Sequence, residues 1–259
     1  MWDAFLHGIF NVIDWFYGMA RDWGLAIILI TILFRILIYP ITRKQFKSTY
    51  QMQKLQPKMN EIKEKYAGDQ QRQNEEMTKL YQEAKFNPIA GCLPMLLQMP
   101  IFIALYWVLK DLPTYIEESN HVAADLPPTF YNIIPDLTFT PYEVFSTDGL
   151  TSAIPYILLV LLFSVSMLIP LLINKNTQRQ QIIMTAVMSA FMLYIGCISP
   201  AGVLLYWDMS SIIGVGQQMA SRKMLEKKDA EKEAELVEVT PVKVEVERKP
   251  KKARPKKSK

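Results

Sequence analysis

Apolar residues in this chain gather into blocks, separated by runs that are almost entirely polar. Five blocks are about 20 residues long, enough to cross a hydrocarbon core of roughly 30 Å. They are Gly24–Ile41, Pro88–Leu109, Ser152–Ile173, Gln181–Ile198 and Ser199–Ala220. The last two adjoin at Ser199 and Pro200, which predicts a tight hairpin. The expected fold class is an all-α membrane protein with five transmembrane helices.

The polar runs carry patterns of their own. In Met1–Trp23, Asp3, His7, Asn11, Asp14 and Arg21 fall on one narrow helical stripe. Trp2, Phe5, Ile9, Phe10, Ile13, Trp15 and Phe16 cover the rest. The pattern predicts an amphipathic helix, either lying in the outer interface with its aromatic side in lipid or packed on the ends of the bundle. The segment lacks a basic n-region and a small-x-small cleavage site, so no cleaved signal peptide is expected there. Between the first two blocks, Arg43–Tyr66 and Gln70–Phe86 are rich in helix formers, with Gly68-Asp69 as a turn between them. A helical hairpin is expected, with Leu55, Met59, Ile62 and Tyr66 on one arm and Met77, Leu80, Tyr81 and Ala84 on the other. These stripes either pack on each other or, with Met52, Met59 and Met77, offer an adaptable surface to apolar segments of varied sequence.

Composition supports the division into blocks. Half of the 259 residues are hydrophobic and 21% charged, yet the mean hydropathy is only +0.08. Charge then orients the spans. Thr42–Asn87 holds ten Lys or Arg, Asn174–Gln180 two, and the tail after Ala220 fourteen. Asp111–Thr151 holds none, against seven Asp or Glu. Cytoplasmic loops collect Lys and Arg, which predicts an N-terminus outside and a cytoplasmic C-terminus. Cys92 and Cys197 define neither a disulfide framework nor a metal site. Two histidines, and no Gly-rich phosphate loop, give hydrolytic chemistry little to work with. The chain is therefore not expected to be an enzyme, and no cofactor is expected.

Arg35 turns the question from topology to function. It lies about 16 Å into an otherwise apolar span, where an Arg costs roughly 2.5–3.5 kcal/mol on insertion scales. Snorkelling to the cytoplasmic surface is one resolution. Helical side chains tilt toward the helix N-terminus, however, which here points outward. The other resolution is a watery, protein-walled groove, with Thr31, Arg35 and Thr42 on one face. Trp207, Ser210, Ser211, Gly214, Gln217 and Gln218 form a matching polar stripe on the fifth span. Gln98 lies mid-span in the second. Met184, Met188 and Met192 either line such a groove or pack.

Three separated motifs resemble one family. NPIAGCLPMLLQMPIF at Asn87–Phe102 with Leu105-Tyr106, SPAGVLLYW at Ser199–Trp207 with Gln217-Gln218, and Arg35 followed by YPIT and a basic stretch are similar to the signature of the YidC membrane-insertase family, in its compact bacterial form. The resemblance covers roughly Trp23–Ala220. It implies five spans around a groove open to cytoplasm and lipid and closed to the outside, in a bacterial plasma membrane. It also implies that the groove Arg attracts polar or acidic segments of nascent membrane proteins, and that the cytoplasmic hairpin receives them first. The expected groove residues are Arg35, Thr31, Gln98, Trp207, Ser210, Ser211 and Gln218. The implied partners are nascent membrane proteins, the ribosome, the Sec translocon and the lipid bilayer.

Two features stand beside that scheme. Asp208 occupies a position where the family is apolar; it either pairs with Arg35 or, roughly 120° around the helix from the polar stripe, faces the outer interface or a neighbouring span. The tail beyond Ala220 is expected to be disordered, with nine basic and two acidic residues in Pro241–Lys259. Lys249, Lys251, Lys252, Arg254, Lys256 and Lys257 suit ribosomal RNA, anionic lipid or simple solvation. A small channel or transporter with Arg35 as an anion site is the rival reading, and a chaperone that does not insert shares every feature named.

Overall fold

A computed structural model describes residues 1–84, 93–119, 127–173 and 179–239. Within these, only the backbone is described at 93–97, 170–173, 179–181, 233 and 236–239. The Asn87–Cys92 part of the first motif and the basic tail positions from Lys249 to Lys257 lie outside the described residues. The chain divides into two units, Met1–Arg222 and Lys223–Lys259.

The described residues fold into eight helices with one isolated bridge, Phe130 to Ile134. The helices are α1 (Trp2–Ala20), α2 (Trp23–Lys65), α3 (Gln70–Glu83), α4 (Leu93–Lys110), α5 (Leu112–Glu118), α6 (Pro141–Ile173), α7 (Arg179–Cys197) and α8 (Ala201–Val239). Only Ile198, Ser199 and Pro200 separate α7 from α8, the tight hairpin expected there.

α1 has two apolar faces. Leu6, Ile9, Phe10 and Ile13 are buried, while Trp2, Phe5, Val12, Trp15 and Met19 are exposed. Of its aromatics, Phe10 is buried, and Phe16 and Tyr17 are partly buried against the core. Phe10 stacks between Trp23 and Tyr115 at 6.3 and 5.3 Å, and Tyr17 stacks on Trp23 at 4.1 Å. Arg21, left-handed at φ 55°, closes α1 by donating its N–H to the Tyr17 carbonyl. Asp22 then caps α2, accepting from the Leu25 N–H at 2.7 Å.

α2 does not stop at Ile41. It runs unbroken for 43 residues, with Pro40 and Pro57 inside it. Each proline removes one backbone bond, but the Lys-, Gln- and Met-rich sequence beyond carries the helix on. The first expected span and the first arm of the hairpin are therefore one helix. α3 returns after Asp69, which caps it by accepting from the Arg72 N–H at 3.0 Å. Met59 and Leu80 are buried in the hairpin, Met77 is half-buried, and Met52 is exposed.

α6 begins with a capping box: Thr140 Oγ accepts from the Glu143 N–H, and the Glu143 carboxylate accepts from the Thr140 N–H. Gly149, at φ 80° and ψ −178°, breaks it into a short helix and a long apolar one. α2 and α6 contain stretches long and apolar enough to cross a membrane; Gln98–Lys110 and Ile182–Cys197 are shorter apolar helices. Ile36, Leu37, Leu158, Val165, Met184 and Val187 are each more than half exposed. An apolar surface so extensive marks a face turned to lipid or to a partner.

The segment 127–140, for which composition offered no role, seals one end of the bundle. Ile134 and Leu137 are buried with Leu109, Leu112, Ile116 and Val144. The Leu137 and Phe139 carbonyls accept from the Gly202 and Ala201 N–H groups at 2.8 and 3.0 Å, satisfying the open start of α8. At the start of α2, the Gly24 N–H donates to the Thr129 carbonyl at 3.1 Å, and Asp22 accepts from the Tyr131 N–H at 2.7 Å. Phe130 lies so close over Gly24 that a Cβ there would overlap its ring. Tyr156 donates its hydroxyl to the Asp136 carbonyl at 2.8 Å.

The second unit departs from expectation. Lys223–Val239 continues as helix rather than disordered tail. Its Ala, Glu, Lys and Leu are strong helix formers, and Lys227 and Glu231 pair at 3.8 Å one turn apart.

Candidate functional site

An open-sided cavity of about 580 Å³ lies among α2, α4, α6, α7 and α8. Arg35, Thr42, Gln45, Gln98, Ser166, Thr185, Ser211 and Gln218 supply its polar lining; Met167, Met184, Met188, Ile38 and Ile101 supply much of the apolar part. Methionines fill one flank with side chains able to repack around varied shapes.

Arg35 reaches this space from α2 and is held by α8. Its Nε and one Nη donate to the Ser210 hydroxyl oxygen at 2.9 and 2.6 Å. The Gln217 amide donates to the Arg35 carbonyl at 3.4 Å, a second tie between the same helices. Among the described residues no carboxylate pairs with the guanidinium. Asp208 is 2% exposed, and neither of its oxygens has a hydrogen-bond partner among them. Of the alternatives for Asp208, direct pairing with Arg35 is not the one observed, and the side chain is buried rather than turned to water.

The seven expected groove residues fall into two sets. Arg35, Gln98, Ser211 and Gln218 line the cavity. Gln98 donates to the Tyr206 hydroxyl, and Ser211 donates to Ser166 at 2.9 Å. The other three are internal. Thr31 is fully buried and donates to the Ile27 carbonyl at 2.6 Å. Trp207 packs between Phe102 and Phe163, at ring distances of 4.6 and 4.5 Å. Ser210 is 4% exposed and occupied by Arg35. Met184 and Met188 line the cavity, while Met192 packs on Val160, Phe163 and Leu204.

Sequence reasoning missed Gln45 and the place of Tyr206. Residues 35, 38, 42 and 45 follow helical spacing along one face, but that signal appears only once α2 is known to continue past Ile41. The apolar neighbours of Tyr206 hid its hydroxyl, which is buried and serves Gln98.

The sequence matches the family described as 60Kd inner membrane protein over residues 15–229. A protein of Haemophilus influenzae (strain PittEE) named membrane protein insertase YidC is 37% identical over 224 residues, 85% of this chain and 37% of that one. One of the same name from Syntrophobacter fumaroxidans is 37% identical over 214 residues, 80% of this chain and 36% of that one. The chain thus spans little more than a third of these relatives' length. A crystal structure described as an active YidC insertase with its first transmembrane domain resolved superposes with a TM-score of 0.62. It is 28% identical and covers 83% of this chain and 46% of that one.

Proposed function

Because the chain belongs to the 60Kd inner membrane protein family, we propose that it inserts nascent membrane proteins into the bilayer and helps them fold, alone or with the Sec translocon. The observation that carries this reading is Arg35: a cation with no carboxylate partner among the described residues, held at a mostly apolar cavity that also presents polar side chains and a methionine flank. A polar tail crossing dry lipid leaves each of its hydrogen-bonding groups unsatisfied, at several kcal/mol apiece. A wet cavity reaching partway shortens the dry path. A fixed positive charge favours an acidic tail, while the apolar part of the substrate leaves along the exposed, lipid-facing helices.

The remaining assignments belong to the same proposal. Five spans, carried by α2, α4, α6, α7 and α8, place the N-terminus outside and the C-terminus in the cytoplasm. The α2–α3 hairpin then stands in the cytoplasm and meets substrate first. Met52, the exposed methionine of the three, is its contact residue; Met59 and Met77 hold the two arms together. The basic positions Lys249 to Lys257 bind the ribosome. The sealed end formed by 127–140 faces outward and supports an insertase over a channel, which needs a path through that end.

Reconstitution tests the reading. Proteoliposomes holding only this chain are given a small single-span protein with an acidic translocated tail. Wild type and Arg35→Lys insert it, and Arg35→Ala does so at least about tenfold more slowly. Equal insertion by all three removes Arg35 from the mechanism. Solute flux without insertion returns the channel reading.

A further inference from the structure

Arg35 belongs to α2, but its guanidinium is held by α8. Nε and one Nη share a single acceptor, the Ser210 hydroxyl, at 2.9 and 2.6 Å. One turn along, Gly214 leaves room for the rest of the group. A Cβ there would meet Nη1, Nη2 and Cζ at 3.2, 3.3 and 3.4 Å, closer than ordinary van der Waals contact. Residues four apart lie one above the other on a helix face. Ser210 is 4% exposed and does not line the cavity, so it is placed to hold Arg35 and not to touch a passing chain.

We propose that Ser210 and Gly214 are positioning residues, which lay the Arg35 guanidinium flat against α8 and fix where the charge of the groove stands. The inference rests on the reading of Arg35 given above. A free Arg has many rotamers and snorkels toward the nearest water; the cradle removes that freedom. The identity of residue 210 matters as much as its place. An Asp there would grip the guanidinium more strongly and cancel its charge. A hydroxyl holds it and leaves the charge whole. Two of the five guanidinium N–H groups are used in this way. The others remain for a carboxylate or a backbone carbonyl of the substrate.

The test uses the full chain in proteoliposomes with two single-span test proteins. They are identical except that the translocated tail carries Asp in one and Asn in the other. The ratio of their insertion rates reports the charge of the groove, whereas a general loss of fold lowers both rates together. Ser210→Ala and Gly214→Ala each reduce the ratio about three- to tenfold, and Ser210→Thr, which keeps the hydroxyl, preserves it. Gly214→Ala raises helix propensity, so its loss cannot come from a weakened α8. In an Arg35→Lys background, which lacks the planar fork, Ser210→Ala changes the ratio less than about twofold. An unchanged ratio in both Ser210→Ala and Gly214→Ala, with Arg35→Ala still reducing it, overturns the cradle and leaves the Arg35 reading standing. A ratio that Arg35→Ala leaves unchanged overturns that reading, and the cradle with it.

Discussion

At the sealed end of Met1–Arg222, polar groups meet their partners almost one for one; around the cavity several are left over. The open starts of α2 and α8 both give backbone donors to carbonyls of the segment 127–140, and Asp22 closes a helix and a loop with one carboxylate. Around the cavity, Arg35 has a hydroxyl where a carboxylate would neutralise it. Behind the lining, on α6 and α8, the buried Asp208 oxygens, Ser164 Oγ and Gln217 Oε1 have no partner among the described residues. Satisfied backbone groups and packed side chains make the sealed end rigid. Unspent hydrogen-bonding capacity is what a receptive surface needs, and buried unpartnered groups lower stability. The difference places the tightest packing at the sealed end and, on the function proposed above, recognition at the cavity.

The sharpest way to break that division is Gly24→Val. It drives a side chain into the Phe130 ring, and it should destabilise the chain by about 3 kcal/mol, read as the unfolding midpoint in detergent. Insertion per folded molecule should stay unchanged, and a selective loss of insertion would mean the two ends are coupled. Asp22→Ala removes a helix cap and the tie to Tyr131 together, at an expected cost of about 2 kcal/mol in the same measurement. Asp208→Leu works in the opposite sense. Replacing a buried, unpartnered carboxylate with an apolar side chain should raise stability by roughly 1 kcal/mol, without changing the preference for acidic tails.

The smallest effect belongs to His7. Its pKa is raised, first by the Asp3 carbonyl bonded to it and then by the Glu118 carboxylate at 3.3 Å. A raised folded-state pKa gives stability that is complete below the unfolded value, about 6.5. That stability is lost as pH rises through the folded value. The wild-type unfolding midpoint should therefore exceed that of His7→Gln slightly near pH 5.5, and the gap should close by about pH 8. The side chain is about half exposed, so a large gap would contradict the surface character of this pair.

What the sequence revealed follows from the range of the forces involved. Hydropathy is summed over a window, so the apolar stretches of α2, α6 and α7 are visible in it. The first apolar block ends at Ile41, yet α2 runs on past it because the residues beyond favour helix over any turn. The polar stripe on the fifth block was legible as a stripe. Which of its members would face space, and which would face Arg35, was not. Ser210 and Ser211 are sequence neighbours about 100° apart on the helix, and that rotation sends one to Arg35 and the other to the cavity. The sealing role of 127–140 was hidden because its bonds to Gly24, Ala201 and Gly202 join backbone groups, which every sequence possesses.

The unbroken α2 also has a mechanical meaning. At 1.5 Å per residue its 43 residues make a rod of about 65 Å, longer than the roughly 40–45 Å of a whole bilayer. Arg35 sits about 18 Å from its start and about 45 Å from its far end. A tilt of about 5° about the sealed start of α2 therefore carries the Lys65 end through about 5.5 Å and Arg35 through only about 1.6 Å. The two prolines, each missing a backbone bond, are the compliant joints of that lever. Whatever pushes on the hairpin is thus geared down before it reaches the charge.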